Sequence, residues 1–301
     1  MNETAEHLVL STQEPESCNS ASAFSLPNGN VQIAFSGGRT SAYMLKRLID
    51  ANPDAEWGQR VQVTFQNTGR EMPETYDFVR DVERYFGVPV TWLEYAPDTE
   101  HRFRIVDFDT ASREGEPFEA LVRRRKYLPN QNMRFCTEEL KIRTAKRYLR
   151  WLGWDYWTNC VGIRADEPHR LKKSPPKDRW TVWRPLADAG ITKHDIGDFW
   201  KCQPFDLQLE NINGTTPFGN CDGCFLKGEA KIAELQRRHP ERAAWWEKME
   251  KLASDLSARS AATFSKKYSR EEMRYFIDAQ GDWIFDEPDA LCQKDGGECM
   301  E

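Results

Sequence analysis

The residues of this chain with the clearest chemical potential are a glycine–hydroxyl loop near the N-terminus and cysteines spread along its 301 residues. Ser36-Gly37-Gly38-Arg39-Thr40-Ser41 follows the apolar run Val31–Phe35 and leads into Ala42-Tyr43-Met44-Leu45. Glycines let a backbone approach an anion, N–H groups at a helix start point at it, and the helix dipole favours its charge. Ser36 and Ser41 offer hydroxyls, and Arg39 a fixed cation. The stretch therefore reads as a phosphate cradle; a plain strand–turn–helix connection is the simpler alternative.

Cys221-Asp222-Gly223-Cys224 places two thiols across a glycine turn, a spacing that grips one metal ion or one cluster. Histidines at zinc spacing are absent near the pair, which favours a cluster, with zinc as the alternative. Cys160 sits in an apolar run and reads as a small buried hydrophobe. Cys292 and Cys299 flank Gln-Lys-Asp-Gly-Gly-Glu at the end of the sequence. A nucleophilic cysteine needs nearby cations to lower its pKa, and Lys294 is the local one. Arg123-Arg124-Arg125-Lys126 reads as a solvated face or, alternatively, as a patch for phosphate or sulfate. Arg134, Lys141, Arg164 and Arg170 are more pointed, since guanidinium forks match phosphate and sulfate oxygens.

These residues need elements to hold them. Apolar runs predict strands at 31–35, 61–66, 89–94 and 157–163, and helices at 41–52, 74–86 and 137–151. The last of these rests on Leu140, Ala145, Tyr148 and Leu149. Such alternation argues for a doubly wound parallel sheet with flanking helices. Its loops would bring Asn67-Thr68-Gly69-Arg70-Glu71 and Gly162-Ile163-Arg164-Ala165-Asp166-Glu167 to the carboxyl ends of strands, where ligands bind. From Pro204 the pattern changes to polar loops, the cysteine pair and two helices at 229–238 and 241–255. Trp245-Trp246 reads as core packing of this helical part. The expected organisation is an N-terminal extension over 1–30, an α/β nucleotide-binding domain over 31–203, and a cysteine-containing helical part over 204–301.

The ordered set of motifs resembles the phosphoadenylyl-sulfate (PAPS) reductase branch of the adenine-nucleotide alpha hydrolase superfamily. Ser-Gly-Gly-Arg-Thr-Ser is similar to its pyrophosphate loop, and Asn-Thr-Gly-Arg-Glu-Met-Pro-Glu-Thr to its second motif. Cys136-Thr-Glu-Glu-Leu-Lys141, Gly-Ile-Arg-Ala-Asp-Glu and Pro185-Leu186-Ala187-Asp188 match later ones. The resemblance implies nucleotide contacts at Ser36–Ser41, Asn67, Thr68, Gly69, Glu71, Arg134, Lys141, Gly162, Arg164 and Arg170. It implies a four-iron four-sulfur cluster on Cys136, Cys221 and Cys224; the family's adjacent cysteine pair is Phe135-Cys136 here, so the fourth ligand is open among Cys292, the first choice, Cys202, Cys160, Cys299 or none. It implies a C-terminal nucleophile at Cys299. Thr40 departs from the Asp of ATP-cleaving members.

The implied reaction is thiol-dependent reduction of adenylyl sulfate or PAPS to sulfite, releasing AMP or its bisphosphate. An ATP-dependent sulfur transferase acting on a nucleic-acid base is the alternative, and a non-catalytic nucleotide- or cluster-binding regulator is a third. A thiol reductant or a nucleic acid would be the partner, and a homo-oligomer is compatible. The net charge of −6 gives no global basic field. No apolar run is long enough for a bilayer, and Met1–Asn30 has no signal-peptide core, so a cytoplasmic, reducing setting is expected.

Overall fold

The computed structural model describes residues 23–171, 179–212, 216–257 and 262–280. Its centre is a six-stranded sheet in the order β4-β3-β2-β1-β5-β6. The strands are β1 (Val31–Ala34), β2 (Val61–Asn67), β3 (Val90–Tyr95), β4 (Phe103–Val106), β5 (Trp157–Cys160) and β6 (Trp180–Trp183). All neighbours pair in parallel except β4, which lies antiparallel on β3 with Phe103 opposite Tyr95. An antiparallel edge strand on an otherwise parallel sheet is common in this class.

β2 is buried along its whole length, as a strand between two parallel neighbours must be. Several of its polar side chains are satisfied inside the fold, although the buried Gln66 amide has no protein partner. Gln62 Nε2 donates to the Gly58 and Gln59 carbonyls at 2.7 and 3.1 Å, and the Tyr148 hydroxyl donates to Gln62 Oε1 at 2.9 Å. Gln32 Nε2 donates to Thr64 Oγ1 at 3.0 Å.

Helices α1 (Arg39–Ala51) and α2 (Pro73–Phe86) follow β1 and β2. Pro73 opens α2, where its missing N–H costs nothing, and Gly87 closes it in the left-handed region at φ 70°. Further helices are α3 (Glu116–Arg125), α4 (Thr144–Trp151), α5 (Pro185–Asp188) and α6 (Lys193–Lys201). The C-terminal helices are α7 (Glu229–Arg238), α8 (Pro240–Leu256) and α9 (Arg270–Gln280). Trp245 and Trp246 on α8 pack edge-on against Phe118 of α3, in the same hydrophobic cluster as Val31, Val63 and Phe65 of the sheet. They are core residues, as the sequence suggests.

The structure differs from the sequence reading in several places. The packed chain begins before Val31: Phe24 is buried, and Asn52 Nδ2 donates to its carbonyl at 2.8 Å. The helix expected over 137–151 is two segments, a π-helical turn over Thr137–Arg143 and then α4. The Thr144 hydroxyl donates to the Glu139 carbonyl, five residues back, at 2.8 Å. Strands β4 and β6 were not foreseen. Residues 1–22 and 281–301, with Cys18, Cys292 and Cys299, lie outside the described residues.

Candidate functional site

β1 is flanked by β2 on one side and β5 on the other, so the chain's winding reverses between β1 and β5. In open α/β sheets a ligand crevice forms outside the carboxyl ends of strands at such a point. Here the crevice is lined by Gly37, Gly38, Arg39 and Thr40 after β1, Thr75 of α2, Arg164 after β5, Lys193 of α6, and Thr216, Gly219 and Asn220.

The loop after β1 is shaped by sterics. Gly37 has φ 79°, and a Cβ there would lie 2.8 Å from Thr75 Cγ2. Ser41 Oγ accepts the Ser36 N–H at 3.2 Å and donates to the Gly38 carbonyl at 3.1 Å, tying the loop to the first turn of α1. Ser36 and Ser41 hydroxyls are 2.9 Å apart. No side chain caps α1, and its first turn holds no acidic residue, so its leading amides face the crevice. Two buried polar atoms on the wall, Thr75 Oγ1 and Arg39 Nη1, have no protein partner. Buried polar atoms are almost always satisfied, so these two leave hydrogen-bonding capacity in residues that line the crevice. The crevice thus fits an anionic nucleotide end.

Charges around the crevice are partly compensated. Arg39 pairs through Nε and Nη2 with Asp206 and also donates to the Leu207 carbonyl, anchoring the segment before the cysteine pair. Arg164 pairs with Asp166 at 2.8 Å and approaches Thr40 Oγ1 at 3.4 Å. Glu167 accepts from Arg170 at 2.8 Å and from the Arg164 N–H at 3.0 Å. Asp166 and Glu167 therefore neutralise the arginines of their own loop. Gly162 is buried between Val161 and Ile163, and Arg134 is half-buried ahead of the π-helical turn.

The second motif faces another cavity. Asn67 Nδ2 donates to Glu94 at 2.6 Å and to the Ser112 carbonyl at 2.7 Å. Gly69, at φ 78°, packs so close to Gly115 that a Cβ would sit 2.8 Å from its Cα. Glu71 accepts from the Thr68 hydroxyl at 2.8 Å and the Thr68 N–H at 3.1 Å. These groups bind one another, while Thr68 turns towards the cysteines.

Cys136, Cys221 and Cys224 line one cavity with Thr68, Lys141 and the apolar Phe118, Leu140, Phe225, Leu226 and Trp246. Thr68 gives its proton to Glu71, so Cys221 donates its S–H to Thr68 Oγ1, at 3.3 Å. Burial, reinforced by the Glu71 charge, pushes the Cys221 thiol up to about 12. The pair is held rigidly from beneath. Asp222, closed to solvent, accepts from Arg70 Nη2 at 2.9 Å, from Trp246 Nε1 at 2.7 Å, from the Gly223 N–H at 2.6 Å and from Arg242 Nε. Gly223 has no room for a side chain, since its Cβ would fall 2.2 Å from Trp246 Nε1. Among the described residues no group of three or more Cys, His, Asp and Glu side chains is arranged to hold a single metal ion. Cys160 is buried with its thiol 3.5 Å from Met44 Sδ, a packing role, and Cys202 is exposed.

Asn220 lines both cavities. It holds left-handed backbone, φ 54°, a conformation Asn tolerates better than most residues. Thr75, Lys193 and Asn220 were missed as site residues. The signal for Asn220 was an Asn between Gly219 and the cysteine pair. Lys193 begins a helix whose capping box, Thr192 with Asp195, was legible in the sequence.

The fold and crevice define a nucleotide-binding-type α/β protein with a parallel core sheet. A family model for the phosphoadenosine phosphosulfate reductase domain matches residues 30–196, over half of the chain, and the chain belongs to that family. It is similar to an uncharacterized nin region protein of Escherichia phage lambda, 37% identical over 209 residues, covering 66% of this chain and 67% of the relative. It is also similar to an uncharacterized protein of Methanocaldococcus jannaschii, 29% identical over 235 residues, of whose length the match covers 42%. Among solved structures, a phosphoadenylyl-sulfate reductase from Candida auris in complex with phosphate aligns over 65% of this chain and 88% of that one, at 15% identity and a TM-score of 0.42. Among the described residues no helix is long and apolar enough to cross a membrane.

Proposed function

We propose that this chain is a sulfonucleotide reductase-like enzyme. An adenine nucleotide would place its phosphate or phosphosulfate end on Gly37–Thr40 and the amides of α1. The observation that carries this reading is the shared wall at Asn220, which sets the anion crevice directly beside the three-cysteine cavity. The unpartnered Thr75 Oγ1 and Arg39 Nη1, and the Lys193 ammonium on the rim, supply donors for the anion.

In the reaction, a cysteine thiolate attacks the sulfur of the bound sulfonucleotide. The sulfur–oxygen bond to phosphate breaks, and AMP or its 3′-phosphorylated form leaves carrying the electron pair. A second thiol then attacks the enzyme sulfur, releasing sulfite and leaving a disulfide. Cys299 is the proposed nucleophile. The crevice residues hold the leaving phosphate, and developing charge there meets the α1 amides.

Cys136, Cys221 and Cys224 would hold three corners of an iron–sulfur cluster, with Cys292 as the fourth ligand. Three thiols spread around one largely apolar cavity suit a multi-atom cluster better than a single ion. Such a cluster, when bound, would tie Cys136 to the Cys221–Cys224 turn and supply a redox-active iron–sulfur centre beside the crevice. The test is anaerobic purification with iron, sulfide and zinc analysis, followed by calorimetric titration of AMP, adenylyl sulfate, PAPS and ATP. Brown protein with iron and acid-labile sulfide is expected, together with binding of a sulfonucleotide. A colourless protein with stoichiometric zinc would remove the cluster, and failure of every adenine nucleotide to bind would remove the enzyme reading.

A further inference from the structure

A second polar cavity lies on the other side of the π-helical turn. Its volume is about 270 Å³, and it is lined by Tyr95, Arg102, Arg124, Arg125, Glu139, Arg143 and Arg147. It shares no lining residue with the nucleotide crevice. Five guanidinium groups surround one carboxylate. Glu139 is already committed to Arg125 at 3.0 Å, Arg143 at 2.7 Å and Arg147 at 2.9 Å. Among the described residues Arg102 and Arg124 have no carboxylate partner.

The surplus is regional. From residue 102 to residue 150 the chain carries thirteen Lys and Arg against seven Asp and Glu, net +6 in a protein of net −6. Concave, like-charged surfaces focus potential and attract polyanions. Planar guanidinium forks match phosphate oxygens in particular.

An aromatic surface adjoins it. Arg143, Arg147 and Trp151 are spaced four residues apart and so follow one face of the helix. Trp151 is 54% exposed, unusual for so large an apolar ring. It rests edge-on against Phe103, whose ladder partner is Tyr95 of the cavity. Single-stranded nucleic acid is bound by this combination: a basic channel for the backbone and an aromatic face on which a base stacks.

We propose that the arginine cavity and Trp151 form a site for single-stranded nucleic acid, with backbone phosphate among the arginines and a base on the indole. The site is independent of the sulfonucleotide reading, because it is built from other residues and its occupancy is measured without turnover.

The test is fluorescence anisotropy of an end-labelled, mixed-sequence single-stranded oligonucleotide on the full chain, at several salt concentrations. Arg124→Glu combined with Arg102→Gln should weaken binding by roughly tenfold or more and flatten the salt dependence by about one unit of slope per lost cation. Trp151→Ala should weaken binding by at least about fivefold while leaving that slope intact. All three side chains are exposed, so each variant should keep the wild-type circular dichroism and bind AMP as the wild type does. Oligonucleotide that does not bind at low salt, or binds all forms equally, overturns the proposal. So does inorganic pyrophosphate, or an acidic peptide of equal charge, that binds in an Arg124-dependent way when the oligonucleotide does not.

Discussion

Arg70 and Asp222, 152 residues apart in sequence, meet at 2.9 Å with both side chains almost wholly closed to solvent. The Arg70 guanidinium also lies 4.6 Å from the Trp245 ring centre. One ion pair thus joins the loop after β2 to the turn between the two cysteines of the pair.

The first prediction follows from that pair. Asp222→Ala leaves Arg70 and Arg242 facing a dry space without a counter-charge. Breaking a buried pair from one side costs about 3–5 kcal/mol. Denaturant unfolding should show a loss of that size, and under the proposed cluster reading iron retention should fall with it even though both cysteines remain. A variant as stable as the wild type would show that the pair adds nothing to the fold.

The second contrasts two neighbouring glycines. Gly37→Ala forces a side chain into left-handed backbone against Thr75 and should cost about 1–3 kcal/mol of stability. At Gly38 the nearest atom to a new Cβ is Ser36 Oγ, at 3.5 Å, so the fold should tolerate Ala within about 1 kcal/mol. The same methyl lines the crevice, and nucleotide affinity should drop by about tenfold or more, equivalent to 1.4 kcal/mol. Unchanged calorimetric affinity in Gly38→Ala would place the nucleotide elsewhere.

The third concerns pH. Burial alone would raise the Glu139 carboxyl, but hydrogen bonding from Arg147 and the charges of Arg143, Arg147 and Arg125 outweigh it and hold it below its usual range. A carboxylate depressed in the folded state contributes stability above its unfolded pKa, about 4.3, and loses that contribution as pH falls through the lower folded value. Glu139→Gln should therefore lose less stability than the wild type between pH values near that unfolded pKa and more acidic ones. Parallel stability–pH curves for the two proteins would rule out the linkage.

The fourth separates two chemistries at one residue. In the reductase reading, Cys299→Ser should abolish sulfite release from adenylyl sulfate or PAPS and leave their affinity intact, because the thiol acts only in the chemical step. In the sulfur-transferase alternative the substitution should matter little, and nucleic acid should stimulate AMP release from ATP. Sulfite production and AMP production, measured on the same preparation, decide between them.

The crevice after β1 was legible in the sequence because its parts are local. Gly37, Gly38 and the hydroxyls around them are adjacent, and a strand–turn–helix order fixes their geometry within a few residues. The cysteine cavity was legible in outline for a different reason: Cys136, Cys221 and Cys224 were grouped through resemblance to a family, not through spacing. What joins them was not visible. Nothing in the sequence pairs Arg70 with Asp222 or Arg39 with Asp206, since those contacts depend on how the C-terminal helices dock on the sheet. The strands β4 and β6 are the edges of the sheet and only partly buried, so they lack the continuous apolar run that marks β1. Arg123-Arg124-Arg125-Lys126 looked like an ordinary solvated run because its partners Arg102, Arg143 and Arg147 come from elsewhere along the chain.

The five-residue step from Leu140 to Ala145, both buried, marks the π-helical turn. An α-helix advances about 100° per residue, so the extra residue acts as a phase shift. It lets one short segment present Cys136 and Lys141 to the cysteine cavity while Glu139 gathers arginines on the opposite side. Removing a single residue within Thr137–Arg143 would restore regular winding and keep the flanking turns in phase, yet the segment would have one position too few to serve both cavities. The two surfaces are therefore indexed to each other by one helix, and a change in its winding cannot retune one without misaligning the other.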